Sequence, residues 1–200
     1  GSDYFVAQVL DNRTGEQVCT MRGHMDEDVF GDQLYCLGMY YNRALLAPEA
    51  NFSTAPIKRL EHRHYPKMYV RQAEDDYTHK PRQSFGFKTT SITRPLVIAG
   101  LVEVVREHPE WINDRDTLDE MLTFVRNEKG RAEAEEGAHD DCVMALAIAY
   151  YCRDQQDTGV RMERVWTADM WEDYEKASAD EKAALRRKWG TPKRTARVWE

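Results

Sequence analysis

Acidic side chains occur at two places in this sequence where they could bind a metal ion. Glu49 directly follows the apolar run 44–48 (ALLAP), which is the pattern of a buried strand, so we expect its carboxylate at the carboxyl end of that strand. Asp140 and Asp141 are adjacent and precede the apolar stretch 142–152 (CVMALAIAYYC), which predicts a buried helix. Oxygen ligands of this kind suit Mg²⁺ or Mn²⁺ better than zinc.

Each of these acids also has an ordinary structural explanation. Glu49 could be a surface residue in a loop between a strand and a helix. Aspartate at a helix start often caps the helix, because the positive end of the helix dipole favours negative charge. Capping accounts for one aspartate. Two adjacent acids, preceded by His139, repel each other unless a cation lies between them, so residues 139–141 are the stronger indication of a metal site.

The elements that position these acids can be predicted from turn signals and hydrophobic periodicity. Residues 4–10 and 16–22, around the turn 11–15, predict a β-hairpin. Further strands are predicted at 44–48, 67–70 and 85–90, and the polar residues 72–83 predict an irregular loop. Helices are predicted at 26–41, 53–63, 93–108, 116–124 and 139–153. This order predicts an α/β fold with a mixed sheet.

The composition is typical of one soluble domain with a tail. The chain has 200 residues, 42% of them hydrophobic, and a formal net charge of -7. It has no apolar stretch long enough for a membrane span and no signal-peptide pattern at its start. The four cysteines show no metal-binding spacing, so we expect reduced thiols of a cytosolic protein. Composition changes after residue 154, which predicts a domain at 1–154 and a charged, tryptophan-containing, helical or irregular tail at 155–200.

Read in order, four segments resemble the nuclease domain of large terminase subunits, the DNA-packaging enzymes of tailed phages. They are 3–6 with 11–16 (DYFV, DNRTGE), 41–44 with 48–51 (YNRA, PEAN), 86–90 with 93–95 (GFKTT, TRP), and 136–143 with 145–147 (EGAHDDCV, ALA). Their joint order and spacing carry the resemblance. It implies a ribonuclease H-like mixed sheet flanked by helices, and two Mg²⁺ or Mn²⁺ ions that hydrolyse DNA phosphodiester bonds.

The resemblance also assigns the acids. The family holds its two ions on three acidic positions; Glu49 matches the second, and either Asp140 or Asp141 matches the third. The first position belongs to a strand for which this sequence has no match, and Asp3 is then a flanking acid near the metals. Without that strand, we expect the edges of the hairpin and of residues 44–48 either to close on each other or to stay open and promote aggregation.

Supporting roles and partners follow from the same resemblance. His139 and Asn51 would orient a carboxylate or a water molecule, although a helix cap and a turn residue are equally good explanations for them. Lys88 and Arg94 would contact the DNA backbone. The implied substrate is concatemeric double-stranded DNA in the host cytoplasm, and the implied partners are the terminase ATPase domain, the small terminase subunit and the portal.

Two alternatives remain open at this point. A RuvC-like resolvase or a transposase nuclease would share the metal ions, but residues 86–90 and the pair Tyr41-Asn42 favour the terminase. A non-catalytic DNA- or partner-binding module could keep the same fold after losing one metal ligand. Magnesium binding would distinguish such a module from an enzyme, because the module should bind the ion weakly.

Overall fold

The computed structural model of the chain describes residues 4–51, 53–74, 81–128, 130–158, 168–178, 181–182 and 185–186. The strands are β1 (Phe5–Leu10), β2 (Gln17–Gly23), β3 (Val70–Glu74), β4 (Pro81–Phe85), β5 (Phe124–Arg126) and β6 (Ala132–Ala134). The helices are α1 (Glu27–Tyr40), α2 (Ala55–His62), α3 (Thr93–Glu107), α4 (Arg115–Leu122), α5 (Asp141–Cys152), α6 (Gln155–Thr158) and α7 (Ala168–Lys176). Across these residues, no helix is both long enough and apolar enough to cross a membrane.

β1 and β2 form the hairpin that the sequence predicts. They pair antiparallel, with Ala7 opposite Met21. The turn closes through Gly15, whose N–H donates to the Asp11 carbonyl over 2.8 Å. The φ of Gly15 is +89°, a conformation that glycine adopts without steric cost. A Cβ atom there would also lie 2.5 Å from the Trp111 ring, so the turn requires glycine on both counts.

α1 and α2 pack closely, through a glycine and a cluster of ion pairs. A Cβ atom on Gly31 would lie 2.8 Å from Arg59 Cβ, so a larger residue would force the helices apart. Arg59 Nε and Nη2 each donate to the Asp32 carboxylate over 2.7 Å, and Arg63 Nε lies 2.7 Å from it. The hydrogen bonds from Arg59 hold the pKa of Asp32 below its ordinary value. Both helices agree with the sequence prediction to within a few residues.

α5 is the central helix of the larger hydrophobic core. It packs against β1 and against α3, and Val143, Leu146 and Ala147 are almost completely buried. Val97 of α3 joins the same core. Because neighbours cover α5 on several sides, its sequence is apolar all round, as predicted. A second core, which includes Leu60, lies between α1, α2 and the hairpin.

Several predicted strands differ from the observed pairing. Residues 44–48 do not form a full strand; Leu46 makes an isolated parallel bridge to Met68, and Glu49 makes one to Phe87. The strand predicted at 67–70 is reduced to the Met68 bridge and the start of β3. The strand predicted at 85–90 is reduced to the end of β4 and the Phe87 bridge. In each case the backbone is extended but pairs too briefly to form a regular ladder.

The predicted irregular loop at 72–83 was wrong. β3 and β4 pair there as a hairpin, with Gln72 opposite Gln83, and residues 75–80 lie outside the described part of the chain. The pattern was missed because this hairpin is polar and lacks the alternation of apolar residues that marks a half-buried strand. The short hairpin of β5 and β6, with Val125 opposite Glu133, was also not predicted.

The predicted α/β class is confirmed: the described residues contain three two-stranded antiparallel sheets, two parallel bridges and seven α-helices. The edges of β1 and of residues 44–49 do not pair with each other. A cavity separates them instead. The two edges therefore do not close on each other, and aggregation through them remains a prediction.

Residues just beyond the predicted domain boundary contact the body of the molecule. The Gln155 side chain accepts from Val70 N–H over 3.0 Å and donates to the Val70 carbonyl over 2.8 Å. The Gln156 side chain accepts from Leu45 N–H over 2.7 Å. Packing therefore continues past residue 154. α7 lies within the predicted helical or irregular tail, of which residues 159–167 and 187–200 lie outside the described part of the chain.

Candidate active site

A cavity of about 1080 Å³ opens between β1, α1, α5 and residues 44–49. Glu49 lines it from the segment that bridges to Phe87, and Asp141 lines it from the first turn of α5. These two acids are far apart in sequence, so the fold brings them to one cleft. Asp140 is not among the residues that line the cavity, although the sequence could not separate it from Asp141.

The Asp141 carboxylate is held at the start of β1. Tyr4 N–H donates to Asp141 Oδ2 over 3.0 Å, and His139 Nδ1 lies 3.8 Å from the same oxygen. The Tyr4 ring stacks on His24, with ring centroids 4.1 Å apart, and the Arg22 guanidinium lies 3.9 Å from the Tyr4 ring centroid. His139, the predicted supporting residue, therefore lies beside the Asp141 carboxylate. Tyr4, which the sequence did not indicate, orients that carboxylate through its N–H group.

Asp140 and Arg94 are bonded to each other. Arg94 Nη2 donates to Asp140 Oδ2 over 2.7 Å and to the Ala132 carbonyl over 3.2 Å. The two side chains are only 17% and 28% exposed. Arg94 was predicted to contact DNA and Asp140 to bind metal, but in this arrangement each neutralises the other. The pair ties the start of α3 to the start of α5, and it leaves Asp141 as the acid that faces the cleft.

A buried glutamate that the sequence did not indicate caps α5. Glu120 Oε2 accepts from Cys142 N–H over 2.7 Å and from Val143 N–H over 3.2 Å. Asp140 occupies the capping position, but its side chain makes no capping hydrogen bond. Burial, reinforced by the nearby Glu120 charge, raises the pKa of the Cys142 thiol to about 12. Arg22 Nη2 lies 3.6 Å from Glu120 Oε1 and partly compensates this buried charge.

Asn51 joins two loops beside Glu49. Its Nδ2 donates to the Thr89 carbonyl over 2.6 Å, and Thr89 N–H donates to Asn51 Oδ1 over 2.8 Å. The side chain predicted to orient a carboxylate or water is therefore bonded to backbone. Lys88, between Phe87 and Thr89, is exposed. Phe87 forms the bridge to Glu49, so Lys88, the next residue in the chain, directly follows the backbone that pairs with Glu49.

Glu27 is a further acid that the sequence reading did not select. It lines the same cavity, and its Oε2 accepts from Ser53 Oγ over 2.5 Å. The available signal was its place in the first turn of α1, where acids are common because of the helix dipole. Because the helix dipole is a sufficient explanation for an acid at this position, the sequence did not indicate that Glu27 lies at the cleft.

A divalent ion needs more oxygen ligands than Glu49 and Asp141 provide. Mg²⁺ and Ca²⁺ take six or more oxygen ligands, including water. Within the described residues, no group of three or more His, Cys, Asp or Glu could hold a metal ion. Asp3, the predicted flanking acid, lies outside the described residues. Glu49 and Asp141 both line the cavity, and a site for two ions there would require at least one further protein oxygen.

The chain was also compared with known proteins. Neither the comparison with models of protein families nor the comparison with curated proteins found a match.

Proposed function

We propose that this chain is the nuclease part of a large terminase subunit, a metal-dependent endonuclease that cuts concatemeric DNA during genome packaging. The observation that carries the proposal is the position of Glu49 and Asp141 on one cavity. Two-metal hydrolysis requires carboxylates from separate segments to share ions. The resemblance of the four sequence segments supplies the family, and a ribonuclease H-like arrangement of the sheet belongs to the same proposal.

Glu49 and Asp141 would be the metal ligands that the described residues supply. Bound Mg²⁺ or Mn²⁺ provides the chemistry of such enzymes by lowering the pKa of a water and stabilising the departing oxygen. The Tyr4 N–H bond to Asp141 Oδ2 fixes the orientation of that carboxylate before metal arrives. His139, 3.8 Å from the same oxygen, supports that orientation.

Lys88 would contact the phosphate backbone of the DNA. It is exposed and adjacent to Phe87, which bridges to Glu49, so a phosphate bound to Lys88 would approach the acidic end of the cleft. Phosphate contacts carry no base information, so cutting would be largely independent of sequence. Arg94 would act through its bond to Asp140, by fixing α3 against the start of α5.

The remaining parts of the proposal come from the family. The partners would be double-stranded DNA, the terminase ATPase domain, the small terminase subunit and the portal. The reaction would take place in the host cytoplasm. Three acids hold the two ions in the family, and the third acid would come from outside the described residues.

A non-catalytic DNA- or partner-binding module is the second candidate. One specific observation favours it: Asp140, an expected metal ligand, is bonded to Arg94 and does not line the cavity. A module of this kind would bind Mg²⁺ weakly and leave plasmid DNA intact. Calorimetry with Mg²⁺, together with a cleavage assay, separates it from the nuclease.

Plasmid cleavage tests the proposed activity. We expect the chain to nick supercoiled plasmid weakly in Mg²⁺ and more visibly in Mn²⁺, whose ligand requirements are looser. Glu49→Gln and Asp141→Asn should abolish the nicking, whereas Glu103→Gln, a change at an exposed acid on α3, should leave it unchanged. Robust cleavage that survives Glu49→Gln would contradict both the assignment of the ligand and the mechanism.

A further inference from the structure

Arg22, near the end of β2, contacts both of the groups that hold the start of α5 at the cleft. The first group is Tyr4, whose N–H donates to Asp141 Oδ2 over 3.0 Å, and the Arg22 guanidinium lies 3.9 Å from the centroid of its ring. The second group is Glu120, which accepts from Cys142 N–H over 2.7 Å, and Arg22 Nη2 lies 3.6 Å from its Oε1. One side chain therefore links the two groups that hold Asp141.

The register of the hairpin explains why Arg22 reaches the Tyr4 ring. Val6 of β1 lies opposite Arg22, and Tyr4 precedes Val6 by two residues, so Tyr4 and Arg22 are diagonal neighbours on one face of the hairpin. A guanidinium this close to the face of a tyrosine ring is attracted to it. Tyr4 lies just before the paired residues of β1, so the ladder holds its backbone less firmly. The contacts of its ring, with Arg22 and with the stacked ring of His24, therefore help to fix it.

The contact with Glu120 is an attraction between largely buried opposite charges. Glu120 is 7% exposed, and among the described residues its Oε1 and Arg22 Nε are buried without a hydrogen-bond partner. The side chain of Asp116, another acidic neighbour of Arg22, is 58% exposed, so water screens that pair. Without the Arg22 charge, the buried Glu120 carboxylate would lose its compensating cation, which penalises its buried position. It would then tend to leave the N–H groups that it caps.

We propose that Arg22 is a positioning residue for the Asp141 carboxylate. It fixes Tyr4, which donates to Asp141, and it keeps Glu120 on the N–H groups of the helical turn that follows Asp141. Arg22 is not among the described residues that line the cavity, so it acts through these two neighbours and does not touch the contents of the cleft. The benefit for metal binding rests on the proposed function, whereas the effect on the carboxylate does not.

A direct contact of Arg22 with DNA is the alternative, and the geometry disfavours it. An arginine binds a phosphate through N–H donors that are free to form parallel hydrogen bonds. The Arg22 side chain is only 24% exposed, its Nη1 donates to Asp116 Oδ2 over 3.3 Å, and its guanidinium lies over the Tyr4 ring. A phosphate would have to displace these neighbours. The contacts therefore favour a role inside the protein.

The NMR resonance of the Tyr4 amide proton tests this role in the full chain without metal or DNA. A proton donated to a carboxylate resonates downfield, and Asp141→Ala gives its position without that acceptor. We expect Arg22→Met to move the proton upfield, toward the position in Asp141→Ala, because the N–H group is no longer held against the carboxylate. Arg22→Lys keeps the charge and should move it less. Arg115→Met, which removes a charge from the exposed surface of α4, should not move it.

A second pair of variants tests the same contact from the Tyr4 side. Tyr4→Leu removes the ring and keeps the N–H group, so the amide proton of residue 4 should move upfield as it does in Arg22→Met. Tyr4→Phe keeps the ring and should leave the proton in place. Both variants retain the Arg22 charge beside Glu120, so they test the proposal even where Arg22→Met does not fold.

Titration with Mn²⁺ measures the consequence for metal binding. Arg22→Met should weaken Mn²⁺ binding by about threefold or more, less than loss of Asp141 itself, because Arg22 acts one contact further away than a residue bonded to the ligand. An unmoved amide proton in Arg22→Met or in Tyr4→Leu would overturn the proposal. So would a moved proton with undiminished Mn²⁺ binding in Arg22→Met, where Asp141→Asn weakens that binding. Undiminished binding in Asp141→Asn would instead reject the proposed function, and the amide proton would still decide the role of Arg22.

Discussion

Adjacent residues of the same chemical type have different roles at the start of α5. Asp141 lines the cleft and accepts from Tyr4 N–H, whereas Asp140 is bonded to Arg94 in a largely buried pair. Side-chain geometry, which a sequence does not record, makes this distinction. The metal-binding role therefore belongs to Asp141 in our proposal, and the structural role belongs to Asp140.

Asp140→Asn should reduce stability and leave metal binding intact. The change removes the charge that compensates the largely buried Arg94, so we expect a loss of about 1–3 kcal/mol in the free energy of unfolding. Urea unfolding measures the loss. Arg94→Met together with Asp140→Asn should cost less than the sum of the two single changes, because the pair acts as a unit. Additive losses would show that the two side chains are not coupled.

At the scale of elements, α4 fixes the start of α5 through Glu120. A carboxylate that accepts two N–H groups of the first helical turn compensates the helix dipole and satisfies donors that would otherwise be unpaired. Because Glu120 is only 7% exposed, water cannot replace it readily. The position of Asp141 at the cleft therefore depends on a residue of another helix.

Glu120→Ala should be among the most destabilising single changes in the molecule. It leaves the N–H groups of Cys142 and Val143 without an acceptor and Arg22 without its buried partner, which predicts a loss of about 2–5 kcal/mol. Glu120→Gln keeps an acceptor for the N–H groups and should cost less. Thermal unfolding checks the order of the two variants. Equal stability of wild type and Glu120→Ala would contradict the capping role.

The contact between α1 and α2 should depend on pH. Hydrogen bonds from Arg59 lower the pKa of Asp32 in the folded chain. A lowered folded-state pKa gives stability that is present above the unfolded-state value of about 3.9 and is lost as the pH falls through the folded-state value. Asp32→Asn should therefore lower the melting temperature at pH 7, and the difference from wild type should shrink below about pH 4. Glu103→Gln is the control, and a difference that grows in acid would contradict this assignment.

Periodicity predicted the elements whose burial is one-sided or complete, and it failed where pairing is polar. The hairpin of β1 and β2, the helices α1 and α3, and the buried helix α5 follow from apolar spacing and turn residues. The β3–β4 hairpin was missed, since Gln72 and Gln83 carry no apolar signal. The convergence of Glu49 with an acid at the start of α5 was expected from the resemblance. The capping role of Glu120 and the Arg94–Asp140 ion pair were not predicted, because contacts between residues far apart in sequence leave no local pattern.

At the scale of the whole molecule, the charge of -7 opposes binding to DNA. In the proposed function, DNA binding would therefore depend on local cations and on divalent ions bound at the cleft. Lys88 is exposed next to the segment that bridges to Glu49, whereas Arg94 is occupied by Asp140. Lys88 and Arg94 were both predicted to contact the DNA backbone, but in the proposed function only Lys88 would contact DNA directly.

Lys88→Ala should weaken DNA binding without changing stability. If Lys88 contacts one phosphate, the slope of the logarithm of the binding constant against the logarithm of salt concentration should decrease by about 0.9. Fluorescence anisotropy with a double-stranded oligonucleotide at several salt concentrations measures this slope. Lys58→Ala, at an exposed position on α2, is the matched control. An unchanged slope in Lys88→Ala would exclude this phosphate contact.

Calorimetric titration with Mn²⁺ tests the central claim that Glu49 and Asp141 share a cation site. The full chain is compared with Glu49→Gln, Asp141→Asn, the double variant and Asp140→Asn, after circular dichroism shows that each is folded. We predict that each of the first two changes weakens Mn²⁺ binding by about tenfold or more, as loss of a ligand should. The double change should add little to either, because one site is already lost, and Asp140→Asn should bind as the wild type does. Undiminished Mn²⁺ binding by either Glu49→Gln or Asp141→Asn would contradict the account.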